Sequence, residues 1–164
     1  MNSVEFTQVH MSPQQAFSIV QEWQLQLRKK KQRTKQQSTA LSVASQAAEA
    51  LAAEKHGHIW VAFNQNKPCA LLIGNDHKDG LIIRFLVANV LDQDAKGSGS
   101  FLVQKMLELA QKTDALVLTR PENSEKYWQN KMGFQPAPKD PTLLIHRPAP
   151  QRESKRKVIP GRHG

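Results

Sequence analysis

Cysteine is almost absent from this chain. One residue in 164, Cys69, rules out an internal disulfide and suits a reducing cytosol better than an oxidising compartment. Cys69 sits beside Pro68 at the head of an apolar run, Ala70-Leu71-Leu72-Ile73, which is the setting of a buried, inert thiol and not of a nucleophile. Tyrosine is also single, at Tyr127. Acidic residues are outnumbered, 14 against 23 lysines and arginines, for a formal net charge of +9. That surplus points to an anionic partner, although it speaks to association and not to fold. No apolar run is long enough to span a membrane, and no cleavable leader is visible. A soluble, cytoplasmic protein is expected, with no metal site and no internal repeat. The length allows one domain with a substantial core.

What is present centres on Leu81 to Leu109. An apolar run, Leu81-Ile82-Ile83-Arg84-Phe85-Leu86-Val87-Ala88, has the length and β-branched content of a buried strand. A polar turn leads to Lys96-Gly97-Ser98-Gly99-Ser100, and then Phe101, Leu102, Met106, Leu107 and Leu109 fall at helical spacing. A strand, a glycine turn and a helix start can aim unpaired backbone N–H groups at an anion, helped by the helix dipole. The same pattern also serves as an ordinary strand-to-helix turn, because a short glycine motif is weak by itself.

The remaining elements follow in order. Val4 to Val9 alternates as a short strand. Ser12-Pro13 starts a helix, and Ala16, Phe17, Ile19, Val20, Trp23 and Leu27 form its apolar stripe. That helix runs into Arg28 to Lys35, six of whose eight residues are basic. The run is either a solvated helix end or a contact for nucleic acid or another acidic partner. The alanine-rich stretch from Ser38 to Lys55 predicts a second helix ending near Gly57. His58 to Gln65 and Cys69 to Gly74 read as strands joined through Asn66-Lys67-Pro68, with a second turn from Asn75 to Gly80. After the central helix come a strand at Ala115 to Thr119, a helix from Asn123 through Met132, and a last strand at Thr142 to Arg147. From Pro148 the chain is rich in proline and arginine and predicts a basic, flexible arm.

The order β, α, α, β, β, β, α, β, α, β resembles the GNAT family of acyl-CoA-dependent N-acetyltransferases. Two motifs join it. Asp94-Ala95-Lys96-Gly97-Ser98-Gly99 is similar to the family's Arg/Gln-x-x-Gly-x-Gly/Ala pyrophosphate loop, and Asn123 to Phe134 is similar to its Asn-helix-aromatic-Gly-Phe segment. The resemblance implies an α/β (α+β) fold, with a mixed, mostly antiparallel sheet flanked by helices, over residues 1–147, and a separate basic tail over 148–164. It implies acetyl-CoA as acyl donor, its pyrophosphate held by the backbone of Lys96, Gly97, Ser98, Gly99 and Ser100. The family's fourth strand splays from the fifth, which would free main-chain groups of Leu86, Val87 and Ala88. By that analogy the Val87 amide would polarise the thioester carbonyl, and Asn123 would contact the cofactor or serve as a helix N-cap.

The chain departs from the family pattern in three places. Asp94 stands where the family has Arg or Gln, with Asp92 close by, and a carboxylate repels a pyrophosphate unless it points away or a cation such as Lys96 compensates it. The family's proton-donating tyrosine lies four residues before the Gly-Phe glycine, where this chain has Gln129. Tyr127 is two residues earlier, about 200° around an ideal helix, so it reads as a general acid after a local irregularity or else as core. The fourth strand carries Arg84 and no acid, and the candidate bases, Asp76, His77, Asp79 and His146, lie elsewhere. The expected function is transfer of an acetyl group to an amine of an anionic or nucleic-acid-associated acceptor reached by Arg28–Lys35 and the tail. The alternatives are a small-molecule amine acetyltransferase and a GNAT-like fold that only binds nucleic acid or a protein. Base stacking has little support, because Trp23, Trp60 and Trp128 all sit in core-like runs.

Overall fold

Capping residues set the helical frame of the computed structural model, which describes residues 5–53, 57–121 and 124–148. Ser12 accepts from the Gln15 amide and Pro13 occupies the first position of α1 (Pro13–Arg28). The next helix, α2 (Lys35–Ala52), starts three residues earlier than Ser38 because Thr34 and Gln37 form a reciprocal capping box. The basic run is therefore divided. Arg28 closes α1, the next residues connect, and Lys35 opens α2.

The strands are β1 (Phe6–His10), β2 (His58–Asn64), β3 (Lys67–His77), β4 (Gly80–Ala88), β5 (Leu116–Thr119), β6 (Gln135–Ala137) and β7 (Asp140–His146). They form one sheet in the order β1-β2-β3-β4-β5-β7-β6. Every pairing is antiparallel except β4 with β5, which run parallel and are joined through α3 (Ser98–Thr113). The expected mixed, mostly antiparallel sheet is present. β6 was not anticipated, since three residues including Pro136 are too few to show a period. β3 also runs on to His77, which shortens the expected Asn75–Gly80 turn to Lys78 and Asp79.

The sheet separates two cores. On one face α1 and α2 bury Val20, Trp23, Ala44, Ala47 and Leu51 against Ile59, Val61, Leu71, Ile73 and Val87. Alanines on α2 let it lie close, and Gln24 Nε2 donates to Ser45 Oγ (3.0 Å) across the two helices. On the other face α3 packs Leu102, Val103 and Met106 against Leu72, Ile83 and Val117. Both faces of β3 are covered, which is why it reads as a continuous apolar run. Each of its fully buried leucines contributes about 1.5–3 kcal/mol.

The feature that positions the site is a failure of pairing. β4 pairs with β5 only from Gly80 to Ile83, while it stays paired with β3 as far as Ala88. Ile73 faces Phe85 and Gly74 faces Ile83, so Arg84 is an extra residue on β4, a bulge that bends the strand. β5 stops at Thr119, two residues before Pro121. The strands therefore part beyond Ile83. Among the described residues, no helix is long and apolar enough to cross a membrane.

Candidate functional site

The gap between β4 and β5 opens into a cleft of about 770 Å³. Leu86 to Val90 form its floor, with Lys96, Gly97, Gly99 and Ser100 on one side. Lys35, Thr39 and Val43 of α2 form another wall, and Tyr127, Trp128 and Lys131 a third. Most residues expected to bind a cofactor therefore meet in one place. Asn123 lies outside the described residues, as do those beyond Pro148 in the expected basic arm.

The glycine turn acts as a helix start. Gly97 N-caps α3 in the left-handed region, at φ 88°, where a side chain would be strained. The first helical bond runs from Phe101 N–H to the Gly97 carbonyl (3.0 Å). The amides of Ser98, Gly99 and Ser100 thus have no acceptor within the helix. Lys96 does not join them as expected, because its amide donates to the Gln93 carbonyl (3.2 Å). The Ser98 side chain also leaves the cleft; it is fully buried and donates to the Ala95 carbonyl. A β-carbon on Gly99 would lie 3.6 Å from Leu86 Cδ2, so a longer side chain there would enter the cleft.

The acids beside this turn are held from outside it. Lys67, the first residue of β3, places Nζ 2.8 Å from Asp92 Oδ2 and 3.0 Å from Asp94 Oδ2. Asp92 Oδ1 accepts the Asp94 amide (2.9 Å). These hydrogen bonds raise the Lys67 pKa and lower that of Asp92, so both groups stay charged. The compensating cation is Lys67 and not Lys96.

Strand geometry turns the Val87 amide, expected to face the gap, the other way. Neighbouring residues in an antiparallel ladder direct N–H and C=O alternately toward and away from the partner strand. Asn89 N–H donates to the Cys69 carbonyl (2.9 Å), continuing a register in which Leu71 faces Val87. Val87 accordingly turns its amide toward β3, and its side chain is buried beneath α2. The amides of Leu86 and Ala88 face the gap.

Tyr127 reaches the cleft through an irregular turn. Residues Tyr127–Lys131 form a π-helix, closed by a bond from Met132 N–H to the Tyr127 carbonyl (3.2 Å). Its wider turn breaks the four-residue spacing that would have favoured Gln129. The Tyr127 ring packs edge-on to Trp128, with centroids 5.2 Å apart, and its hydroxyl lies 2.9 Å from Ser100 Oγ. Burial raises its pKa above the ordinary value near 10, against a smaller lowering by Ser100. The phenol is therefore protonated at neutral pH.

No family model matches the chain, and no curated protein is similar to it in sequence. Solved structures do match. A GNAT family acetyltransferase from Brucella melitensis, in complex with acetyl-CoA, superposes with a TM-score of 0.56 at 15% identity, over 90% of this chain and 91% of that one. An acetyltransferase of the GNAT family from Staphylococcus aureus Mu50 gives 0.57 at 11% identity, over 87% and 99%. The PaiA N-acetyltransferase from Thermoplasma acidophilum, in complex with coenzyme A, gives 0.53 at 10% identity, over 86% and 96%. The chain has the GNAT fold.

On this GNAT fold the candidate bases lie away from the cleft. Asp76 pairs with His58 (3.0 Å) and Asp79 lies 3.9 Å from His77, at the opposite end of β4 from Ala88, roughly 25 Å along the strand. His146 packs against Phe134, with ring centroids 5.4 Å apart, and burial lowers its pKa. Among the described residues the one carboxylate lining the cleft is Asp92, already engaged by Lys67. The basic connection is different. Arg33 donates to the carbonyls of Leu27 and Lys30, and no cation from Arg28 to Lys35 has an acidic partner among the described residues. The Cys69 thiol is buried, which raises its pKa and keeps it unreactive.

Proposed function

We propose that residues 1–147 form an acetyl-CoA-dependent N-acetyltransferase domain that modifies an amine on an anionic acceptor. The observation that carries this reading is that one cleft receives three separate features: free amides at a helix start, the outward amides of a splayed strand, and a protonated tyrosine. The cleft fits the donor on its own evidence, since the first-turn amides have no acceptor among the described residues and the space beside Gly99 is one that a side chain would fill. The relatives from Brucella and Thermoplasma were crystallised with acetyl-CoA and coenzyme A.

Acetyl-CoA, when bound, supplies an activated thioester. The amides of Ser98, Gly99 and Ser100 would hold its pyrophosphate at the positive end of the α3 dipole. Leu86 and Ala88 direct amides to where a carbonyl oxygen would gather negative charge, and fixed dipoles there need no reorganisation. Tyr127 holds a proton on its phenolic oxygen beside Ser100, available to a departing sulfur. With Asp92 engaged by Lys67, no free base lines the cleft among the described residues, and the acceptor amine would arrive neutral.

The acceptor class follows from charge. Lys35 lines the cleft and continues the unpaired basic connection, and Lys96 and Lys131 line the cleft as well. A nucleic-acid-linked amine suits this surface, the basic segment 148–164 adds further positive charge to the chain, and affinity would fall steeply with salt. The deciding experiment is calorimetric titration of acetyl-CoA and CoA into the folded protein, followed by acetyl transfer to amine-bearing RNA and to small amines at several salt concentrations. Micromolar donor binding and salt-sensitive transfer to RNA are expected. A folded protein that binds no acetyl-CoA would instead be a binding module on a GNAT fold.

A further inference from the structure

Two carboxylates sit in the turn that would receive a pyrophosphate, an arrangement that costs affinity unless their charge is offset. The offset comes from a distant part of the chain. Lys67 is 25 residues or more from both acids in sequence, yet its ammonium bridges them at 2.8 and 3.0 Å. The same hairpin end holds the turn at two further points. Asn64 Nδ2 donates to the Asp94 carbonyl (3.3 Å), and the Cys69 carbonyl accepts the Asn89 amide (2.9 Å). The β2–β3 hairpin thus grips residues 89–94 by main chain and side chain together. Asp92 lines the cleft with 20% of its side chain exposed, while Asp94 is 66% exposed and turned toward the hairpin.

We infer that Lys67 is a positioning residue for the phosphate end of the donor: it draws Asp92 and Asp94 away from the pyrophosphate path and cancels part of their field. The inference rests on the proposed acetyl-CoA reading. It assigns the role to a residue that does not line the cleft. The bridge is partly exposed, and such pairs contribute little to folding stability, so an effect on donor binding is separable from unfolding.

The test compares wild type, Lys67→Met, Lys67→Arg and the triple variant Lys67→Met/Asp92→Asn/Asp94→Asn. Asparagine at 92 keeps the oxygen that accepts the Asp94 amide. Each protein is first checked by thermal melting and then titrated with acetyl-CoA, and KM is measured for acetyl-CoA and for S-acetylpantetheine, which has no phosphate. Lys67→Met is expected to weaken acetyl-CoA binding about tenfold at low salt and less at high salt. Its KM for S-acetylpantetheine stays at the wild-type value, Lys67→Arg keeps most of the affinity, and the triple variant recovers it. Equal losses for both donors, no loss at all, or no recovery in the triple variant would each overturn the inference while leaving the transferase reading intact. A wild type that binds no acetyl-CoA overturns both.

Discussion

The two halves of β4 share a strand and have opposite fates. From Gly80 to Ile83 it is paired on both sides, with β3 and with β5. From Phe85 to Ala88 it is paired with β3 alone, and the cleft occupies the other side. The residue types hardly change along the strand, apart from Arg84 at the bulge. The first half contributes stability through a closed ladder. The second half points two amides into the gap with no partner strand among the described residues, which a closed sheet would not permit. A site on this fold is a place where the sheet was left open, next to a helix start and an irregular turn that face the opening.

Three variants test that division. The largest effect is expected from Gly99→Glu in the open half. A carboxylate beside Leu86 and the free amides should cut acetyl-CoA affinity on the order of 1000-fold, with the melting temperature near wild type. Calorimetry showing unchanged affinity would remove this turn as the anion site. Next is Gly80→Ala in the closed half. Gly80 has φ 154°, and a β-carbon there would overlap the Leu116 carbonyl oxygen. A loss of about 3 kcal/mol is expected, seen as a Tm lower by roughly 10 °C, while acetyl-CoA affinity of the folded fraction stays the same. If donor affinity fell with Tm, the halves would not be independent.

The smallest effect is expected from Tyr127→Phe, a loss of about 100-fold in kcat with KM unchanged. Its pH profile carries the sharper information. Wild-type kcat/KM should rise with pH until the acceptor amine is neutral. Burial raises the Tyr127 pKa above its ordinary value near 10, so the proton persists past that pH and activity falls only beyond it. Tyr127→Phe should lack that alkaline fall. An identical alkaline limb in the variant would exclude the phenol as proton donor.

Much of the architecture was legible in the chain because it depends on short-range rules. Ser12-Pro13 favours a helix start by its own cap, the alanine-rich segment gives α2, and Gly97 opens α3 because a left-handed residue is needed there. The Thr34–Gln37 box is just as local, but the basic residues around it read as a helix end. Lys67 left a weaker signal. In an antiparallel meander the start of β3 lies beside the end of β4, which places Lys67 near Asp92 and Asp94 once the strands are paired.

The sequence by itself determined most of the elements, their buried faces and the glycine turn, because caps and periodicity act within a few residues. Tertiary structure alone decided what these elements do together. It parted β4 from β5, turned Leu86 and Ala88 into the gap in place of Val87, and brought Tyr127 to Ser100 across 27 residues of chain. It also joined Lys67 to Asp94 across another 27. Those contacts depend on strand register and a π turn, which arise from how the whole sheet packs and have no local signature.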